Sequence, residues 1–67
     1  MNLHNRLKEI RVEKGLTQET LAKQIGVTRQ TIIAIEKEKF VPSVRLALEL
    51  AAILETSLDS IFWLDNQ

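Results

Sequence analysis

Arg29 and Gln30 stand side by side just after Gly26-Val27-Thr28, at the leading end of the stretch RQTIIAIEK. Arginine carries a planar fork of donors and glutamine a donor beside an acceptor, so both match the hydrogen-bonding edges of nucleobases. Arginine suits guanine and glutamine suits adenine. Ile33 and Ala34 follow with methyl surface of the kind that meets a thymine methyl group. The cations Lys37, Lys39 and Arg45 lie just beyond. Such cations can hold a phosphate backbone without reading its sequence.

Other chemistries lack their residues. There is no cysteine and a single histidine, His4, which rules out a disulfide framework and thiolate metal sites. Any metal site would have to rest on carboxylates. His4 has no evident Asp partner or nucleophile nearby, and there is no glycine-rich phosphate loop. No catalytic arrangement, cofactor, metal or small-molecule site is therefore expected.

The 67 residues carry a formal net charge of zero, which by itself argues against a polyanionic partner. The distribution is lopsided. Residues 1–45 hold all nine Lys and Arg against five acids, and residues 46–67 hold four acids and no base. That polarity suggests a charged partner on one face, with a solvated surface of random sign as the alternative. The longest largely apolar stretch, Leu46 to Leu54, is interrupted by Glu49 and falls well short of the ~20 residues of a membrane span. The start MNLHNRLKEI lacks the order of a signal peptide. A soluble cytoplasmic protein without a membrane partner is the expectation.

The elements that must position these residues are short helices. Leu7 and Ile10 share a helical face with Leu3 and Lys14, and Gly15 follows as a stop, so a first helix is predicted over about Asn5 to Lys14. Thr17 caps a second, TQETLAKQI, ended by Gly26. Thr28 caps a third over about Arg29 to Lys37. Pro42 disfavours helix at Val41, and Ser43 caps a fourth from Val44 to about Glu55. This fourth helix is apolar on most sides and is predicted to be central. Thr56 or Ser57 opens a last short helix with Leu58, Ile61 and Phe62. The fold class is all-α, a bundle of five helices.

The second and third helices, joined through Gly26 and Val27 with small Ala22 at the crossing, form a helix-turn-helix over about residues 17–37. The second helix of such a motif can enter the DNA major groove. A wheel at about 100° per residue, with Ile32 at zero, puts Ile35 about 60° away and Gln30, Ala34, Lys37 and Ile33 on the far side. Arg29 projects from the leading end. In the alternative, Ile33 is one more core residue on a slightly rotated helix.

The run LTQETLAKQIGVTRQTIIAIEKEKFVPS resembles the DNA-binding domain of the Xre or Cro/repressor family of bacterial and phage regulators, whose fold is lambda-repressor-like. Thr17-Gln18 with Leu21-Ala22, then Gly26-Val27-Thr28, then Ile35-Glu36 carry the resemblance, which spans residues 1–67 as a single domain. It implies a phosphate contact at Gln18, where a helix start also presents free N–H groups, with Thr17 and Thr31 assigned to the backbone beside it. It implies base reading by Arg29 and Gln30, with Thr28 as both cap and DNA neighbour. Alanine at 34, where relatives often carry a long polar reader, leaves only an apolar contact there. Lys37, Lys39 and, less directly, Arg45 are assigned to phosphates. Arg11 and Glu36 match a pair that bridges the first and third helices in several phage repressors, two separately solvated charges being the alternative. Lys23 and Arg6 read as ordinary surface residues, and Phe40 as an anchor of its loop to the core.

Leu58, Ile61, Phe62, Trp63 and Leu64 crowd into seven residues near the end, more apolar surface than one small monomer is expected to bury. A symmetric homodimer through about residues 57–65 would cover it and space two reading helices about one DNA turn apart. In the alternative, Trp63 covers its own chain's last helix. The resemblance also implies a small two-stranded sheet pairing MNL with FWLDN. The expected function is a homodimeric repressor on a palindromic duplex operator. An antitoxin-like protein-interaction module of the same fold is the competing reading.

Overall fold

Thr17, Thr28 and Ser43 each hold an extended backbone and turn a side-chain oxygen onto the N–H three residues ahead. The bonds run from Thr20 N at 3.0 Å, Thr31 N at 3.3 Å and Leu46 N at 3.1 Å, and satisfy donors that a helix start leaves open. In the computed structural model, which describes residues 1–65, these caps begin α2 (Gln18–Ile25), α3 (Arg29–Glu36) and α4 (Val44–Ile53). α1 (Leu7–Glu13) is capped from two residues upstream, where Asn5 Oδ1 accepts from Leu7 N at 3.1 Å. α5 (Leu58–Ile61) follows Ser57, whose hydroxyl bonds that of Ser60 at 2.6 Å rather than a backbone N–H.

The first four helices end alike. Gly15, Gly26, Glu38 and Glu55 take left-handed backbones with φ of 74°, 86°, 62° and 53°. The N–H of the next residue then returns to a carbonyl five residues back: Leu16 to Arg11, Val27 to Ala22, Lys39 to Ala34 and Thr56 to Ala51, within 2.9–3.1 Å. Glycine takes this conformation freely, while each glutamate bears a cost of about 1–2 kcal/mol. α2 ends at Ile25 as expected, while α1, α3 and α4 end a residue or two earlier than the sequence suggests.

Leu7, Leu21, Ile32, Ile35, Leu50, Leu54 and Ile61 are fully buried and bring α1 to α5 onto one core. Each such side chain contributes roughly 1.5–3 kcal/mol of burial. α4 is not the central helix its composition suggests. Ala47, Leu50 and Ala51 are buried, but Val44 and Leu48 are 74% and 52% exposed. Four other short helices cannot wrap a ten-residue helix, so only one of its stripes finds partners.

The chain's two ends meet. β1 (Leu3–Asn5) pairs antiparallel with β2 (Phe62–Leu64), with Leu3 opposite Leu64, His4 opposite Trp63 and Asn5 opposite Phe62. Arg6 N to Ile61 O and Asp65 N to Asn2 O, both 3.0 Å, extend the ladder at either end. The two-stranded sheet implied by the resemblance is present, with its first strand shifted from MNL to Leu3–Asn5. The Asn66 part of FWLDN lies outside the described residues. Leu3 shares helical spacing with Leu7 but belongs to the strand, which is why α1 starts two residues later than predicted.

Candidate nucleic-acid interface

α2 and α3 are set against each other by the turn between them. Gly26 closes α2 with its N–H on Ala22 O at 2.8 Å, and the space beside its Cα is open. Its positive φ, not crowding, is what calls for glycine. Val27 packs against the core, and Ala22 is 2% exposed where the helices cross. Leu21, Ile32 and Ile35 hold the inner faces of α2 and α3 together.

With that side buried, Thr28, Arg29 and Gln30 are exposed at the leading end of α3, and Lys37 and Lys39 at its exit. Among the described residues no hydrogen bond or ion pair engages the Arg29 or Gln30 side chain. Ile33 and Ala34 are half-buried, so they flank this surface rather than stand proud of it. Neither belongs to the core or to the residues packed on it. Thr31 is half-buried too, its hydroxyl 3.1 Å from that of Thr28. At the start of α2, Thr17 Oγ1 accepts from Thr20 N and donates to Thr20 Oγ1 at 2.8 Å. Arg45 is 88% exposed, with Glu49 at 3.9 Å one turn along α4.

Behind this surface Arg11 and Glu36 form a buried ion pair, Nε to Oε2 at 2.7 Å, with side chains only 8% and 6% exposed. Arg11 Nη2 donates to Glu36 Oε1 at 3.3 Å, and Nη1 donates to Leu16 O at 2.8 Å. Gln18 Nε2 donates to the same Oε1 at 3.1 Å, so one carboxylate joins α1, α2 and α3. The pairing of Arg11 with Glu36 follows the resemblance. The commitment of Gln18 does not, because its assignment to phosphate left Glu36 out. Its amide nitrogen carries a second proton, which remains for an anion at the helix start.

The other end of α3 is held by residues that sequence reasoning passed over. Asn5 Nδ2 donates to Ile35 O at 2.9 Å. His4 does have an Asp partner: Nε2 lies 2.6 Å from Asp65 Oδ2, and Nδ1 lies 3.3 Å from Glu38 Oε2. These hydrogen bonds, Asp65 first and Glu38 second, raise the His4 pKa above 6.5 against a smaller opposing effect of burial. Arg6 is more than an ordinary surface residue, its guanidinium lying 5.1 Å over the Trp63 ring. Phe40 does not anchor its loop in the core, being 46% exposed.

The family model for helix-turn-helix proteins matches residues 7–61. The chain belongs to the helix-turn-helix family. Within it, this chain is 42% identical over 65 residues to the HTH-type transcriptional regulator YgzD of Bacillus subtilis, an alignment covering 97% of this chain and 98% of the relative. An HTH-type transcriptional regulator of Methanocaldococcus jannaschii is 50% identical over 60 residues, covering 90% and 91%. The crystal structure of a Bacteroides fragilis protein superposes with a TM-score of 0.84 at 28% identity, over 91% of this chain and 98% of that one. The restriction-modification controller protein C.AhdI from Aeromonas hydrophila gives 0.76 at 36% identity, over 82% and 80%. DNA binding and transcription regulation of the Xre type are thus this helix-turn-helix chain's family properties.

The apolar cluster near the C-terminus divides. Ile61 is fully buried and Phe62 is 9% exposed, both inside their own chain's core, so Ile61 is withdrawn from any interface and Phe62 largely so. Leu58, Trp63 and Leu64 remain 38%, 38% and 53% exposed. With Leu3, Pro42 and Val44 they line an open apolar groove of about 400 Å³. Among the described residues no helix is long and apolar enough to cross a membrane.

Proposed function

We propose that this chain is a cytoplasmic, non-enzymatic repressor that binds a palindromic duplex operator as a homodimer, with α3 in the major groove. Exposed and unengaged Arg29 and Gln30 at the leading end of a helix whose opposite side is buried carry the reading. Arg29 takes a guanine edge and Gln30 an adenine edge, while Thr28, Ile33 and Ala34 complete the contact with hydroxyl and methyl groups. Thr17, the second amide proton of Gln18, Thr31, Lys37, Lys39 and Arg45 hold the phosphates. Burial of Arg11 against Glu36 removes that cation from the charge DNA would meet.

The groove beside Trp63 and Leu64 supports the dimer. Its exposed apolar residues come from β2, α5 and the unpartnered stripe of α4, so a second copy related by a twofold axis would cover all three at once.

Replacing Arg29 and Gln30 together with alanine tests the base-reading surface. On a duplex selected from random sequence, the double variant is expected to lose specific binding, with its melting temperature and oligomeric state unchanged. Footprints identical to the parent's would refute the assignment. They would move sequence reading to other residues, whereas a parent that selects no duplex at all would favour an antitoxin-like role in which the apolar groove captures another protein.

A further inference from the structure

We propose that His4, Asn5 and Glu38 form a latch through which the terminal sheet positions the exit of the reading helix, and that protonation of His4 closes it. The consequence for DNA rests on the function proposed above; the latch itself does not.

α3 ends in a turn closed by its own backbone hydrogen bonds but built on a residue type ill suited to it. Glu38 has a φ of 62°, where a Cβ is disfavoured and glycine or asparagine would be at ease. The structure shows what a glutamate does there. Its carboxylate reaches back to His4 Nδ1 on β1, while Asn5, the next residue of the same strand, donates to Ile35 O in the last turn of α3. Asn5 also caps α1 through its other amide atom, so its orientation is fixed from both sides. The strand that pairs with Trp63 and Leu64 thus holds the end of the helix that carries Arg29 and Gln30.

The histidine ring is the part that can switch. Carboxylate oxygens face both of its nitrogens, and both contacts are hydrogen bonds only when both nitrogens carry protons. A neutral ring has one N–H, and the 2.6 Å contact with Asp65 retains it. The Nδ1 lone pair then faces the Glu38 carboxylate, acceptor against acceptor, and the link to α3 opens. The two carboxylates lie on opposite edges of the ring, an arrangement that bridges a protonated imidazole and does not converge on one ion.

The charged groups around the ring fit this reading. Glu38 comes from the turn after α3 with exposed Lys37 and Lys39 on either side of it in sequence. Asp65 comes from the end of β2 and also accepts from Asn2 N at 3.3 Å. Arg6 comes from the end of β1 and lies over Trp63, whose ring is 6.2 Å from that of His4. Opening the latch therefore frees a carboxylate between the two lysines assigned to phosphate, and it loosens their turn as well. Both effects weaken binding as pH rises. The sign agrees with linkage: with its pKa raised above 6.5 on folding, His4 contributes stability that is present in full below 6.5 and is lost as pH rises through the raised value.

The test uses the full chain at pH 6 to 8.5, with the imidazole and backbone amide resonances followed by NMR and affinity for the selected duplex by anisotropy. Parent, Glu38→Gln and His4→Gln proteins are compared, so any contribution of the amino terminus is common to all three. Glutamine at 38 can accept from Nδ1–H or donate to its lone pair, so that link survives deprotonation of the ring. In the parent, amides 37–39 are expected to shift with the midpoint of the His4 ring, and the dissociation constant to rise about two- to fivefold over the range. In both variants the affinity should stay flat. Amides 37–39 that ignore the ring's titration would overturn the latch, whether or not DNA is bound. A pH slope as steep in both variants as in the parent would overturn its effect on DNA. A parent that binds no duplex even at pH 6 would instead refute the DNA reading, and the amide shifts would then decide the latch alone.

Discussion

Replacing Glu36 by leucine probes what holds α3 in place. The carboxylate is 6% exposed and receives Arg11 through both oxygens and Gln18 through one. Its removal leaves the Arg11 guanidinium buried, with Leu16 O as its remaining acceptor among the described residues. Breaking a buried pair from one side costs about 3–5 kcal/mol. A chain of 67 residues has only about 3–10 kcal/mol of stability in total, so the single variant is expected to lie at or near the edge of unfolding. Arg11→Met should be similarly costly, since it strands the Glu36 carboxylate. The double variant removes both charges and fills the space with apolar atoms. Its cost is limited to the Leu16 carbonyl and the lost Gln18 bond, each about 1 kcal/mol, since Leu16 and Gln18 are only half-buried and water can substitute. The double variant should thus melt within about 2 kcal/mol of the parent and above either single. Urea unfolding followed by circular dichroism at low temperature reads all four corners of this cycle, with an osmolyte added for variants already unfolded in buffer. Single variants costing under about 1 kcal/mol, or a double variant as unstable as the sum of the singles, would show that the pair does not organise the fold.

Two further outcomes follow from exposure and from backbone geometry. Trp63→Glu combined with Leu64→Glu should convert the proposed dimer to monomer in analytical ultracentrifugation without unfolding the chain, because both residues stand outside the core; a persisting dimer would move the interface elsewhere. Glu55→Gly relieves a left-handed φ of 53° and should raise stability by about 0.5–1 kcal/mol after the entropy of the added glycine is subtracted, and an unchanged or lower urea midpoint would contradict that account.

Much of this molecule is written in local signals. Thr17, Thr28 and Ser43 announce helix starts because a short hydroxyl side chain reaches the N–H three residues on, whatever lies elsewhere in the chain. Gly15 and Gly26 mark helix ends for an equally local reason. Glu38 and Glu55 do the same work without a glycine's signature, so those ends were placed by composition and fell a residue or two late. Ile33 and Ala34 mark the limit of a helical wheel: it gives direction around one axis, but how deeply that axis sits against its neighbours sets burial, and both residues prove half-buried.

The number and order of the helices, the helix-turn-helix motif and the placing of Arg29, Gln30, Lys37 and Lys39 along it are all legible from local pattern, because each depends on residues within one or two turns of each other. Contacts between distant residues come into being only when the chain folds. His4 meets Asp65 across 61 positions and Glu38 across 34, and Asn5 meets Ile35 across 30. No periodicity encodes such meetings; they arise when the two termini pair as strands beside the end of α3. The same holds for Ile61 and Phe62. They look like surplus apolar surface in the sequence and become core in the fold, because the pairing of β1 with β2 carries them inward and leaves Trp63 and Leu64 outside.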